Sequence, residues 1–196
     1  MTNVSLVNTT ARWSIYAQII LGLFSFVGFA GINDEADVLV VLLVSDIVVQ
    51  SIEFIFYLVF IRLNSKLTVY RYIDWYVSTP IMLLSTAILL EFFATEHTES
   101  VVSLQSFFSR YTTETIYIVI MNAIMLTCGL LVELFFEEDR TSVISNILLT
   151  LGNRAFVATF VLMFIRFGFK TLQGTFLLIV MCFIWSLYGF AALLSY

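Results

Sequence analysis

The chain is short of the residues that build soluble, loop-rich domains. Only 12% of its 196 residues are charged, and it contains one proline and two cysteines. Hydrophobic residues make up 61% of the chain, whereas soluble domains contain about 45–50%. Cys128 and Cys182 both lie in apolar runs, so we interpret them as packing residues rather than as a disulfide. This composition indicates an integral membrane protein.

Basic charge and enzyme motifs are also scarce. A net charge of −5 argues against a nucleic-acid partner. The sequence has no metal-ligand cluster, nucleophile elbow or phosphate loop, so we expect neither a metal site nor a conventional enzyme. The first apolar run follows a single arginine and lacks a clear small-residue cleavage site. We therefore expect a retained helix rather than a signal peptide.

Six apolar runs approach or exceed the roughly 20 residues that cross a bilayer. The connections between them are short and polar, except that 93–114 has a mixed middle typical of an amphipathic turn at the membrane interface. Loop charges are balanced and leave the orientation open. We predict one all-α transmembrane domain over 1–196, embedded in a lipid bilayer, with spans at 13–31, 37–61, 69–92, 115–136, 142–168 and 172–195.

The third span carries charged residues in the stretch RYIDWYVSTP, which begins at Arg71. A charge at the bilayer centre costs at least about 2.5–3.5 kcal/mol, so such residues are candidates for function. Arg71 and Asp74 lie one helical turn apart and share a face, which permits a structural ion pair. Trp75, Ser78 and Thr79 add an aromatic wall and hydroxyls beside the carboxylate. This surrounding favours a second interpretation, in which Asp74 stabilises a buried cation such as a protonated imine.

The second span carries a polar stripe. Asp46, Gln50 and Glu53 fall at i, i+4 and i+7 on an otherwise apolar helix, so they share one face. One interpretation is a ladder of structural hydrogen bonds to neighbouring helices. The other is a hydrated, cation-attracting path or a proton relay.

Taken together, these motifs resemble the microbial (type 1) rhodopsins. RYIDWYVSTPIMLL is similar to the third helix of that family, whose pattern is R-Y-x-D-W-x-x-[TS]-T-P. WSLYGF at 185–190 resembles the sixth helix, and NAIMLTCGLL at 122–131 resembles the fourth. The resemblance runs through all six spans in order and covers nearly the whole chain. The second span looks most like that of the viral rhodopsins of giant algal viruses.

The resemblance implies a seven-transmembrane-helix bundle with an extracellular N-terminus, of which this chain holds six helices. It implies all-trans retinal as the cofactor, attached as a Schiff base to a lysine on a seventh helix. We expect that lysine beyond residue 196, because Lys66 and Lys170 lie at span ends. Asp74 matches the Schiff-base counterion and proton acceptor, and Arg71 matches the arginine that tunes it. The positions that match the retinal pocket are Trp75, Thr79, Met82, Met125, Gly129, Trp185 and Tyr188.

Two residues depart from the family pattern. Gly189 stands where proline is common, which loosens the sixth helix. Ser85 occupies the position at which outward proton pumps carry a carboxylate donor, so reprotonation from the inside lacks its usual source.

Four functions are compatible with these residues: a light-gated cation channel, an outward proton pump, a sensory photoreceptor and a structural membrane protein without photochemistry. A pump would need Asp46 to replace the missing donor. Two carboxylates on one stripe favour the channel, with monovalent cations or protons as its cargo. The oligomeric state, including a homo-oligomer, stays open. We assign the ion path or proton relay to Asp46, Gln50, Glu53, Ser78 and Ser85.

Overall fold

The apolar runs form long helices. A computed structural model describes residues 4–30, 37–60, 67–95, 103–136 and 141–194, and within these ranges the chain is helical apart from short turns and contains no strand. The predicted all-α fold is therefore confirmed. The helices are α1 (Val4–Ala30), α2 (Asp37–Phe60), α3 (Leu67–Thr95), α4 (Leu104–Arg110), α5 (Thr112–Phe135), α6 (Val143–Arg166) and α7 (Leu172–Leu194), with a 3₁₀ turn at Gly168–Lys170.

The lengths of the helices fit a bilayer. Within the described residues, four segments are long and apolar enough to cross a membrane: Val38–Val59, Arg71–Thr95, Thr112–Phe135 and Val143–Lys170. Ile15–Gly28 and Leu172–Leu187 are shorter apolar helices. Each of the six segments overlaps one of the six predicted spans, four at membrane-crossing length and two as shorter helices. Large apolar side chains point outwards from them, as expected of helices that face lipid; Phe24 is 70% exposed.

The connection at 93–114 contains a short helix. α3 continues to Thr95, beyond the predicted end of the third span at residue 92. α4 begins at a capping box, in which the Ser103 hydroxyl accepts from the Ser106 backbone N–H and the Ser106 hydroxyl accepts from the Ser103 N–H. One side of α4 buries Phe107, while Phe108 is exposed. The described part of the segment predicted as an amphipathic turn thus contains a capped helix that buries Phe107.

The chain divides into two compact units, Met1–Ser85 and Thr86–Tyr196. In the first unit, α1 and α2 pack as an antiparallel pair. A Cβ added at Gly22 would lie 3.3 Å from Oε1 of Gln50, so a larger residue there would press on the α2 side chains. The prediction of a single domain over 1–196 stays a prediction.

In the second unit, α5 and α6 approach closely at Gly152. A Cβ added there would lie 3.2 Å from Cβ of Cys128. Cys128 is buried, and both it and Cys182 are free thiols. Cys128 therefore packs between α5 and α6, whereas a packing role for the half-buried Cys182 stays a prediction.

Candidate functional site

Asp74 and Ser78 lie on a buried face of α3. Asp74 is 3% exposed and Ser78, one turn further along, is 0% exposed. Within the described residues, neither Oδ1 of Asp74 nor Oγ of Ser78 has a hydrogen-bond partner. A buried carboxylate oxygen without a donor is costly unless a positive or donating group approaches it. This pair therefore fits a ligand that brings such a group.

Arg71 does not pair with Asp74. Its side chain is exposed, and its guanidinium carbon lies 5.8 Å from the centroid of the Trp75 ring. The Trp75 ring in turn meets Tyr72 edge to face, with 5.3 Å between ring centroids. Among the ion pairs of the described residues, none joins Arg71 to Asp74. The structure therefore does not contain the ion pair considered from the sequence, and a tuning role for Arg71 stays a prediction.

Pro80 lies inside α3 without ending it. Proline has no backbone N–H and removes one hydrogen bond of the helix. The Thr79 hydroxyl donates a 2.6 Å hydrogen bond to the Trp75 carbonyl, in the turn that precedes the proline. A hydroxyl thus supports the backbone where the ladder is weakened.

The polar stripe of α2 faces polar residues of α1. The Ser25 hydroxyl donates a 2.5 Å hydrogen bond to Oδ2 of Asp46, and the Gln50 amide donates to the same oxygen at 2.6 Å. Further along, the Gln18 amide donates a 3.1 Å hydrogen bond to Oε2 of Glu53. Gln18 thus pairs with Glu53 and Ser25 with Asp46, as expected of two antiparallel helices. These residues and Gln50 form one polar seam between α1 and α2.

This seam contains more acceptors than donors. Oε1 of Gln18 and Oε1 of Gln50 are buried and have no hydrogen-bond partner within the described residues. Glu53 interacts electrostatically with Asp74 and Asp46. A groove of about 340 Å³ lies beside the seam; the two glutamines line it together with mostly apolar side chains, and neither carboxylate does. Uncompensated carbonyl and carboxylate oxygens attract water and cations.

The α1 side of the seam was not predicted from the sequence. Gln18 and Ser25 are two helical turns apart in the first span and share a face with Gly22. That spacing is a readable signal, although only the fold shows that it meets the α2 stripe. Asp46 is exposed in the structure, whereas Gln50 and Glu53 are half-buried.

The positions that match the retinal pocket lie on three helices. Thr79 and Met82 on α3, Met125 and Gly129 on α5 and Trp185 on α7 are all half-buried, as are Trp75 and Ser85 on α3. The Trp185 ring meets Phe160 of α6 edge to face, with centroids 5.8 Å apart. The Tyr188 side chain and the surroundings of Gly189 lie outside what the structure describes. That these positions line one pocket stays a prediction.

A buried carboxylate near the end of α3 was also missed. Glu91 is 4% exposed, and its Oε1 accepts hydrogen bonds from the Tyr111 hydroxyl at 2.9 Å and from Arg110 at 3.4 Å. Its Oε2 pairs with the ammonium group of Lys170. Lys170 is the last residue of its span, as predicted. Lys66 lies outside the described residues.

These features define a multi-pass helical membrane protein with a buried carboxylate that fits a positively charged ligand. A family model of bacteriorhodopsin-like proteins matches residues 7–196, and the chain belongs to that family. No curated protein matches it. The match confirms the resemblance to microbial rhodopsins, while the resemblance to the viral group stays a prediction.

Membership in this family defines the cofactor and the broad activity. Bacteriorhodopsin-like proteins are seven-helix membrane proteins that bind retinal through a Schiff-base lysine. They act as retinal-dependent ion transporters or photoreceptors rather than as conventional enzymes. The chain is therefore an integral, multi-pass retinal protein. Oδ1 of Asp74 and Oγ of Ser78, which have no hydrogen-bond partner within the described residues, fit this cofactor.

Proposed function

We propose that this protein is a light-gated cation channel whose path is lined by the seam between α1 and α2. The observation that carries the proposal is the excess of acceptor oxygens in that seam. The carboxylates of Glu53 and Asp46 accept from the amide nitrogens of Gln18 and Gln50, and the carbonyl oxygens of those two amides have no donor within the described residues. A seam that served only to hold two helices together would pair its acceptors.

Water and cations are the species that satisfy such a seam. In a bilayer, a buried oxygen without a donor costs free energy that a bridging water or a passing cation recovers. The carboxylates attract cations and repel anions, as rings of acidic side chains do in cation channels. Gly22 keeps the α1 backbone close to Gln50 without adding an apolar side chain. The seam therefore supports a hydrated path for small cations.

The residues of α3 couple light absorption to the path. When bound, retinal supplies the light-absorbing group and a positively charged imine. Asp74 supplies the compensating negative charge, and its Oδ1 has no hydrogen-bond partner within the described residues. Glu53 interacts electrostatically with Asp74, so any change in the charge of Asp74 alters the potential at Glu53. This interaction links the cofactor site to the seam.

A light-driven outward proton pump is the second candidate. The hydrogen bonds among Ser25, Asp46 and Gln50 form a connected group that can relay a proton. Asp46 would then replace the donor that Ser85 lacks.

Patch-clamp recording of the full-length protein, expressed in cells supplied with all-trans retinal, tests the channel. The expected result is a photocurrent that reverses with voltage and whose reversal potential follows the gradient of sodium or potassium. A one-directional current that ignores both ions would overturn the channel and support the pump. An absorbance change on illumination without any current would support a sensory photoreceptor.

A further inference from the structure

An arginine lies at the middle of α6 and faces outwards. Arg154 is the twelfth of the 24 residues of this helix, about 17 Å from either end at about 1.5 Å per residue. Its side chain is exposed, and within the described residues it has neither an ion pair nor a hydrogen bond. Charged side chains at this depth of a bilayer are usually paired or turned towards the interior of the bundle. Arg154 therefore lacks the partner that its position requires.

Exposed polar residues extend from Arg154 towards the start of α6. Asn146, Thr150 and Asn153 precede it at helical spacing, so the four side chains share one face. The Thr150 hydroxyl donates to the Asn146 carbonyl at 2.7 Å, and the Asn146 amide donates to the Thr141 carbonyl at 3.2 Å. Asparagine and threonine side chains on the outside of a membrane helix are typical of contacts with another helix.

A groove continues the same face towards the end of α6. It has a volume of about 450 Å³ and is lined by Tyr117 of α5 and by α6 residues from Asn153 to Ile165. Apart from Asn153 and Arg154, the α6 residues that line it are apolar. They include Ala158, whose short side chain lets another helix approach closely. The exposed polar residues and the groove together form the α6 docking face, which runs from residue 146 to residue 165.

The length of the α6 docking face distinguishes a helix from a lipid as its occupant. The face measures about 28 Å at about 1.5 Å per residue, close to the roughly 30 Å of the hydrocarbon core. A phospholipid covers only one leaflet, about half of that thickness, and its phosphate lies at the membrane surface. It does not bring an acidic group to the depth of Arg154. A transmembrane helix with a carboxylate near its middle fills the whole face and pairs with the guanidinium.

The charge of Arg154 argues against a second copy of the same face. Copies in one membrane share their orientation, so a twofold contact of α6 with α6 brings two Arg154 side chains to the same depth. Like charges repel strongly where the dielectric constant is low. The α6 docking face is therefore not complementary to itself.

We propose that the α6 docking face binds a transmembrane helix of another membrane protein, which carries a glutamate or aspartate opposite Arg154. A guanidinium and a carboxylate form a pair of parallel hydrogen bonds, which neutralises both charges inside the bilayer. The adjacent Asn153 amide supplies a further donor. This docking site does not depend on the channel function, because it requires no ion path.

Energy transfer tests the site without any measurement of current. The full-length protein, with a donor dye at its C-terminus, is reconstituted in phosphatidylcholine liposomes. The probe is a synthetic leucine–alanine transmembrane helix with an acceptor dye and one central glutamate. Its transfer signal should saturate, and the same peptide with a central glutamine should bind about 3- to 30-fold more weakly, the range of polar contacts between membrane helices. Equal binding of the two peptides, or no saturable transfer, would overturn the proposal.

Variants of the protein test whether the peptide binds at the α6 docking face. Arg154→Gln should bind both peptides equally, whereas Arg154→Lys should keep a preference for glutamate. The matched control is Arg166→Gln, which removes an arginine from the end of the same helix and should keep the preference. Ala158→Phe fills the groove and should weaken both peptides, whereas Ile179→Phe, at an exposed residue of α7, should not. A preference retained in Arg154→Gln, or equal weakening by the two phenylalanines, would overturn the site.

Other occupants of the face give different results. Phosphatidylglycerol that displaced the glutamate peptide from the wild type, and did so less from Arg154→Gln, would assign the face to an anionic lipid. A disulfide between two copies of Asn146→Cys, absent from the wild type, would assign it to a second copy of this chain. Either result would overturn the partner helix, and the absence of both together with the preference for glutamate would support it.

Discussion

Gln18 of α1 donates a 3.1 Å hydrogen bond to Oε2 of Glu53 on α2, while its own Oε1 is buried without a partner among the described residues. The two ends of one amide therefore differ in their surroundings. The nitrogen holds the carboxylate of Glu53 in place, and the oxygen adds a further acceptor to the seam. Substitutions at Gln18 and at Glu53 can therefore remove the hydrogen bond and the negative charge separately.

Substitutions at the two residues should act on different properties. Gln18→Leu removes the donor and leaves the Glu53 carboxylate exposed to an apolar side chain, so the protein should lose about 0.5–2 kcal/mol of stability. Glu53→Gln removes the charge but keeps an oxygen that Gln18 can bond, so its melting temperature should change less. Glu53→Gln should instead shift the reversal potential of the photocurrent. If both variants affected only stability, the seam would be a structural ladder.

Substitution of Asp46 should affect conduction more than substitution of its hydrogen-bond partner Ser25. One carboxylate oxygen of Asp46 accepts from both Ser25 and Gln50. Asp46→Asn keeps an acceptor and removes the charge, so conductance or the rate of closing should change. Ser25→Ala removes one of the two donors and leaves the charge, so its photocurrent should remain close to wild type. In a pump, Asp46→Asn would instead slow only the late decay of the photocycle, measured by flash absorbance.

Hydropathy and periodicity predict the helices and one half of the seam. A bilayer requires about 20 apolar residues per helix, so composition alone locates the spans. The repeat of Asp46, Gln50 and Glu53 follows from helical geometry and predicts their common face. Periodicity does not identify the helix that a face meets, which is why Gln18 and Ser25 were missed. Packing of α1 against α2 supplies that information.

The site around Glu91 could not be predicted from any single stretch of sequence. Its partners come from the end of α4, the start of α5 and the 3₁₀ turn after α6. No helical period extends across those connections, so their relative positions depend on tertiary packing. Glu91 and Lys170 each resemble an ordinary solvated residue at a span end. Only burial of the carboxylate distinguishes this site from a surface ion pair.

The contact between α5 and α6 should be sensitive to side-chain size at Gly152. A Cβ there would lie 3.2 Å from Cβ of Cys128 and 3.5 Å from the Met125 carbonyl oxygen. Gly152→Leu should therefore force the helices apart and cost about 1–3 kcal/mol or more. Leu151→Ile, at the neighbouring residue that is 49% exposed, is the matched control and should change the melting temperature little. Equal melting of both variants would contradict the close packing.

Asp74 should determine the absorption maximum of the retinal-bound protein. Its carboxylate is 3% exposed, and Oδ1 has no donor within the described residues, so it can compensate a positive charge in a region of low dielectric constant. A nearby negative charge stabilises the ground state of the positively charged cofactor more than its excited state. Asp74→Asn removes that charge without changing the size of the side chain. The absorption band of the full-length protein with all-trans retinal should therefore move to the red.

Ser78→Ala provides the comparison for Asp74→Asn, because it lies one turn away on the same buried face and carries no charge. Its hydroxyl is 0% exposed and has no hydrogen-bond partner within the described residues. Removing it deletes a buried polar atom without leaving a partner unpaired, so stability should be unchanged or slightly higher. Its spectral shift should be smaller than that of Asp74→Asn. If the two variants shifted the band equally, or Asp74→Asn left it unchanged, Asp74 would not be the counterion, and the electrostatic link from Asp74 to Glu53 would lose its role in gating.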